Sequence, residues 1–245
     1  MMLDKLASRS TGYSMRLALI ALTALCVVAL APRPTLADDA QKLVEDSANM
    51  AKSLLADPEW RDFADYFKTA KAVVLVPDFL KAGFFIGGAG GQCVMVARAP
   101  GGGWTAPSFC LMGEASLGLQ IGAQKAEILM MVMTDGALER LVGGNAKLGG
   151  EAGITVGLVG ANVKGDTTLN LGRDIYAFGR SQGLFGGLAL EGGWIGPDSD
   201  YNHSYYGRAV TAHDILVTRR VTAPAAKNLI DVLIEADNVK SVSSR

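Results

Sequence analysis

From residue 38 onward, apolar side chains recur at helical spacing. Leu43, Val44, Ser47, Ala48, Ala51, Leu54 and Leu55 share one face, and after Asp57-Pro58 the set Trp60, Phe63, Ala64 and Phe67 does the same. Two amphipathic helices are predicted ahead of residue 70. Beyond it the apolar runs become short: Ala72 to Val76, Gln92 to Ala99, Trp104 to Met112, Ser116 to Gln124, Glu127 to Thr134, Gly153 to Val159, Thr167 to Leu171, Ile175 to Phe178 and Leu184 to Leu190. Glycine turns separate them, which predicts strands, with one short helix over Gly136 to Val142. Ile128 to Met133 is apolar on both faces and reads as a strand covered from both sides. After residue 207, Thr222 as N-cap, Pro224 in the first turn and the stripe Leu229, Ile230, Leu233, Ile234 predict a closing helix.

Glycine marks the boundaries. Of 30 glycines, all but Gly12 fall between Gly83 and Gly207. The fold class is α+β and β-rich: a Gly-rich antiparallel β-sandwich or barrel-like core with amphipathic helices at both ends. The chain divides into 1–37, 38–69 (helical), 70–207 (the β core) and 208–245, a strand or helix packing on that core. Arg16 followed by the unbroken apolar run Leu17 to Ala31, then Thr35-Leu36-Ala37, reads as a cleaved secretory signal, so the mature protein is expected to begin near Asp38 and to be periplasmic or secreted.

Charge excludes one class of partner. The net charge is −1, and removing residues 1–37 takes away four basic residues and one acidic residue, leaving −4. No basic excess is present to hold a nucleic-acid backbone. Two histidines and three cysteines, with no CxxC or HxxxH spacing, call for no metal, and no cofactor is expected.

Cys93 and Cys110 are the cysteines left after the leader. If Pro100 to Gly103 is a four-residue hairpin loop, Ala99 faces Trp104, Val96 faces Pro107 and Cys93 faces Cys110. Pro107 cannot donate to the ladder and can shift this register, so a disulfide and two buried thiols both stand. Gly179-Arg180-Ser181-Gln182-Gly183 matches GxSxG, with Asp198 or Asp200 and His203 or His213 in the order a serine hydrolase would need. A nucleophile elbow must lead into a helix, whereas Leu184 to Gly193 is strand-like and glycine-rich, which favours a turn and no enzyme. The helix from Trp60 to Lys71 could enter a lipid interface, with Arg61, Lys68 and Lys71 at the headgroups; docking of its apolar face on the sheet is the favoured alternative.

The words of the middle region, in order, resemble the SYLF domain, or Ysc84 family. They are Ala70-Lys71-Ala72 to Pro77, Lys81-Ala82-Gly83-Phe84 to Gly88, Trp104-Thr105-Ala106-Pro107, Gly118 to Ala123, Leu148 to Val163, Tyr176 to Gly193 and Tyr205-Tyr206-Gly207. The resemblance, in a bacterial exported form, implies binding to anionic phospholipid headgroups without catalysis, phosphoinositides in eukaryotic members. Lys71, Lys81 and Arg180 match basic positions of the family, with Lys68 and Arg173 completing a candidate lipid patch. Gln182 and Ala89 stand where the family often carries a basic residue. Actin is not carried over as a partner of an exported protein. The rival expectation is a structural envelope protein whose Tyr201 to Tyr206 segment meets a protein partner.

Overall fold

The computed structural model describes residues 35–57, 60–83, 86–117, 122–144, 146–149, 153–159, 173–183 and 192–239. Residues 1–34 of the expected leader and the strands expected over 167–171 and 184–190 lie outside the described residues. Helix α1 (Leu36–Leu55) buries Leu43, Val44, Ser47, Ala48, Ala51 and Leu54 of the predicted stripe, with Ala40 and Met50 besides, while Leu55 is half-buried. Its first turn carries Asp38 and Asp39, where negative charge meets the positive end of the helix dipole. Helix α2 (Trp60–Thr69) follows, with Ala64 and Phe67 fully buried, so this part of its apolar face docks on the sheet.

Eight strands form one sheet: β1 (Ala72–Gly83), β2 (Ile86–Ala97), β3 (Ser108–Leu117), β4 (Gly122–Val132), β5 (Ala146–Lys147), β6 (Val156–Val159), β7 (Ile175–Gly183) and β8 (Trp194–Pro197). Their order is β5-β8-β3-β2-β1-β4-β7-β6, and every neighbouring pair is antiparallel except β6 and β7. The sheet curls into a half-barrel. Helix α3 (Asp135–Gly143) follows β4, close to where it was expected, capped by the Thr134 side chain. The end of the chain contains α4 (Ser199–Tyr206), α5 (Ala212–Leu216), a 3-10 turn (Pro224–Ala226) and α6 (Lys227–Asp237), and no strand among described residues beyond 207. Helix α6 starts five residues after Thr222, because Pro224 opens the 3-10 turn instead.

Both faces of the sheet are covered, which explains strands that are apolar on both sides. Leu75, Val94, Phe109, Leu129 and Phe178 face α1, α2 and α6 in one core. Val74, Met95, Met112, Met130 and Ala177 face α3 and α5 in the other. Truncating a fully buried side chain such as Phe67 or Met130 to alanine costs about 2–5 kcal/mol.

Strand β1 runs seven residues past the expected Val76 because it absorbs Pro77 in a bulge. Leu75 pairs with Val94 but Leu80 with Gly90, so β1 carries one extra residue, and the shift against β4 falls between Val76 and Phe79. A proline fits a central strand only at such an irregularity. Across from it, a Cβ on Gly91 would stand 2.5 Å from the Asp78 carbonyl oxygen, so only glycine allows the approach. Side chains after the bulge point to the opposite face from the one that alternation from Leu75 would give.

The β2–β3 hairpin departs from the simple count only at its tip. Cys93 pairs with Cys110 and Met95 with Ser108, while Arg98 bridges Trp104. The slip lies at Thr105 and Pro107: Thr105 N–H donates to the Ala97 carbonyl (2.9 Å), and Ala97 N–H donates to Thr105 Oγ1 (3.0 Å) in place of a ladder bond. The sulfurs of Cys93 and Cys110 are joined, with Cα atoms 4.9 Å apart and both residues buried.

Arg98 locks three segments together. Its two Nη atoms donate to Asp237 of α6 (2.6 and 2.7 Å), Nη2 also to the Phe67 carbonyl (2.8 Å) and Nε to that of Ala70 (3.3 Å). The guanidinium lies 4.1 Å from the Trp104 ring centroid.

Candidate functional site

Of the five cations expected to form one lipid patch, Lys68, Lys71 and Arg173 lie at the end of the sheet where β1 begins, β4 ends and β7 begins, whereas Lys81 and Arg180 lie away from that end. Lys71 precedes β1, while Lys81 lies near its far end, ten residues on; at about 3.3 Å per residue that is a separation on the order of 30 Å. Arg180, on β7, shares the parity of Tyr176 and Phe178 and faces α1, where it donates to Ser53 Oγ (2.7 Å). Lys81 faces the other way. Counting from Leu75 would put it on the side of Arg180, and the bulge at Pro77 turns it over. Lys68 ends α2, and Arg173 stands half-buried before β7.

Four of the five have a carboxylate close by. Lys71 Nζ is 3.5 Å from Asp135, Lys68 Nζ 3.8 Å from Asp65, Lys81 Nζ 3.3 Å from Glu114 and Arg180 Nη2 2.6 Å from Glu127. The pairs differ in exposure. Asp65 and Asp135 are open to solvent, whereas Glu114 is only 6% exposed and its Oε2 has no hydrogen-bond partner. Lys81, Ala89 and Glu114 occupy one rung across β1, β2 and β3, so the small side chain of Ala89 lets the flanking charges meet above it.

A cleft of about 450 Å³ opens between the first half of α1 and strands β1 and β2, lined among others by Asp39, Lys42, Asp46, Asp78 and Leu80. Lys42 pairs with Asp46, and Lys125 on β4 with Asp78. Those hydrogen bonds and the adjacent carboxylates raise both ammonium pKa values above the ordinary lysine range. Three aspartates to one lysine make the lining unsuited to an anion.

The other candidates resolve locally. Ser181 lies within β7 opposite Ala126, so the GxSxG glycines belong to a strand and the serine is not on a strand-to-helix elbow. No group of three metal-ligating His, Cys, Asp or Glu side chains occurs among the described residues. The Tyr201 to Tyr206 segment is part of α4, whose helix signals are the Asp198 N-cap and the left-handed Gly207. Its tyrosines turn inward. Tyr201 and Tyr205 pack on Phe109 with ring centroids 6.0 and 5.0 Å away, and Tyr206 OH donates to the Pro107 carbonyl (2.6 Å). Burial pushes the Tyr205 hydroxyl up to about 12, and that of Tyr206 higher still.

The molecule is a half-barrel sheet between two helical layers, in which four of the five candidate cations stand beside a carboxylate. The Ysc84 family model, described as "Las17-binding protein actin regulator", matches residues 113–236, from β3 to the end of α6. The human SH3 domain-containing YSC84-like protein 1 is 32% identical over 155 residues, covering 63% of this chain and 45% of that protein. Its Bos taurus counterpart is 33% identical over 156 residues (63% and 46%). LAS seventeen-binding protein 3 of Saccharomyces cerevisiae is 32% identical over 172 residues, covering 69% of this chain and 37% of that protein. The chain thus belongs to the Ysc84, or SYLF, family, and it spans under half the length of these curated relatives.

Proposed function

We propose that this chain is a non-enzymatic phospholipid-binding domain that takes anionic headgroups, exported to the periplasm or secreted. Family membership across residues 113–236 is the observation that carries the reading. Headgroup contacts fall to lysines whose carboxylate partners are themselves exposed, Lys125 beside Asp78 among them. Exposed pairs contribute about 0–1 kcal/mol, so a lipid phosphate can replace the carboxylate at little expense. Lys81 and Arg180, held by more deeply covered carboxylates, stay structural.

Co-sedimentation with phosphatidylcholine vesicles, with and without phosphatidylglycerol, tests this. Each participating lysine contributes about 1 kcal/mol near an anionic surface, so binding is expected only to the anionic vesicles and to weaken as salt is raised. Equal binding to both vesicles, or to neither, overturns the proposal. Export is tested separately: an exported form whose N-terminus lies near Asp38 supports it, and retention of residues 1–37 overturns it.

A further inference from the structure

Among the described residues, five large apolar side chains are exposed, and three of them, Leu80, Leu111 and Trp194 (58, 40 and 39%), fall on one face of the sheet. The register shows why. Lys125, Leu80, Gly90, Gly113, Trp194 and Lys147 form one unbroken rung across β4, β1, β2, β3, β8 and β5. Side chains on a rung share a face. Leu111 sits two rungs on and so on the same face, between Gln92 and Gly196. This is the side of the sheet that α1, α2 and α6 cover elsewhere, but the rung lies beyond their cover at the mouth of the α1 cleft.

The rung is shaped as a shallow shelf. Two glycines make its floor, and the indole of Trp194 lies over the nearer one: a Cβ on Gly113 would stand 2.8 Å from Trp194 Nε1. Lysines flank its apolar residues on both sides, Lys125 beside Asp78 on β4 and Lys147 exposed on the edge strand β5. From β4 to β5 the rung crosses five strand spacings of about 4.8 Å, roughly 24 Å in all.

We infer that this shelf is the surface that lies against the bilayer, with Leu80, Leu111 and Trp194 at the level of the headgroups and Lys125 and Lys147 reaching lipid phosphates. The inference rests on the phospholipid reading above and adds the orientation. Tryptophan flanked by lysines with apolar stems suits a water–lipid boundary, where an indole is half-solvated and an ammonium reaches outward. Asp39, Asp46 and Asp78 stand behind Leu80 in the cleft and keep the contact shallow. Lys68 and Lys71, at the opposite end of β1, then face away from the lipid.

The test uses the full chain and vesicles of phosphatidylcholine with phosphatidylglycerol. The double variant Leu80→Asp/Trp194→Asp is expected to bind about tenfold more weakly or worse, since interfacial affinity scales with the apolar area buried. The pair Lys125→Gln/Lys147→Gln should also weaken binding, while Lys68→Gln/Lys71→Gln leaves it within about twofold. In wild type, Trp194 emission should shift to the blue and be quenched by brominated acyl chains, and Trp194→Phe should remove that signal. Because these side chains are exposed, unchanged circular dichroism and melting are expected for each variant. Wild-type binding that survives Leu80→Asp/Trp194→Asp, or that is lost with Lys68→Gln/Lys71→Gln instead, overturns the inference while leaving the lipid reading intact. Absence of wild-type binding sinks the lipid reading itself. A variant that alters only self-association assigns the shelf to a second copy of the chain and likewise overturns the inference.

Discussion

Replacing Arg98 by methionine keeps most of the side-chain length and removes the guanidinium. The loss comprises two charge-assisted bonds to Asp237, two bonds to the carbonyls of Phe67 and Ala70, and the stacking on Trp104. Arg98 and Asp237 are 24 and 23% exposed, between a surface pair of about 0–1 kcal/mol and a buried pair whose rupture costs about 3–5 kcal/mol. About 2 kcal/mol is a reasonable share for the ion pair at that exposure, and the cation–π contact adds about 0.5–1 kcal/mol. The carbonyls regain water in part, so a total of about 3 kcal/mol is expected. Urea unfolding followed by circular dichroism reads it. With a slope of about 2 kcal/mol per molar, the midpoint should fall by about 1.5 M. Arg98→Lys should recover little, because an ammonium cannot make the forked contact with the carboxylate. Asp237→Asn and Arg98→Met should be strongly non-additive, with a coupling of about 2 kcal/mol. A loss below about 1 kcal/mol for Arg98→Met, or additivity within about 0.5 kcal/mol, would refute the assignment of Arg98 as the lock between α2, the hairpin and α6.

Two further outcomes follow from the core. Intact mass should rise by two hydrogens when the unfolded protein is reduced, and removing the Cys93–Cys110 bridge, with a sequence separation of 17, should cost about 3 kcal/mol; an unchanged mass rejects the bond. Tyr205→Phe should be nearly neutral at pH 7, since its buried hydroxyl has no hydrogen-bond partner, whereas Tyr206→Phe should lose about 1 kcal/mol with its bond to Pro107. The raised Tyr205 pKa means that the folded state holds this proton more tightly than the unfolded chain. That stabilisation is complete below about pH 10 and is lost as pH rises towards 12. Tyr205→Phe should flatten the decline in melting temperature over that range, and an identical decline in both proteins would contradict it.

The helical ends of the chain were legible because amphipathic spacing is a local property: the stripe Leu43 to Leu54 is the one α1 buries. The doubly apolar run at Ile128 likewise identified a strand between two layers. Pairing of Cys93 with Cys110 follows from the hairpin count, although the tip slips at Thr105, where a side-chain oxygen replaces a backbone acceptor. The faces of Lys81 and Arg180 were not legible. Lys71, Lys81 and Arg180 are marked by their neighbours in sequence, but the face of Lys81 depends on a parity that Pro77 and Asp78 reset, and all three stand beside carboxylates from other elements, Asp135, Glu114 and Glu127. The shelf escaped notice for the same reason: Leu80, Gly113 and Trp194 belong to three separate segments, and only strand register joins them.

The insertion opposite Gly91 makes chain length, and not residue identity, the determinant of what the lower half of β1 displays. Taking one residue out between Val76 and Phe79 would exchange the two faces along the remainder of the strand: Lys81 would come round to the α1 side and Leu80 would turn to the side that α3 and α5 cover, with every amino acid beyond the cut unchanged. Related chains that agree letter for letter around Lys81 but differ by one position near Pro77 would therefore carry opposite surfaces, so alignment gaps at that point should weigh more than substitutions when the binding behaviour of one member is transferred to another.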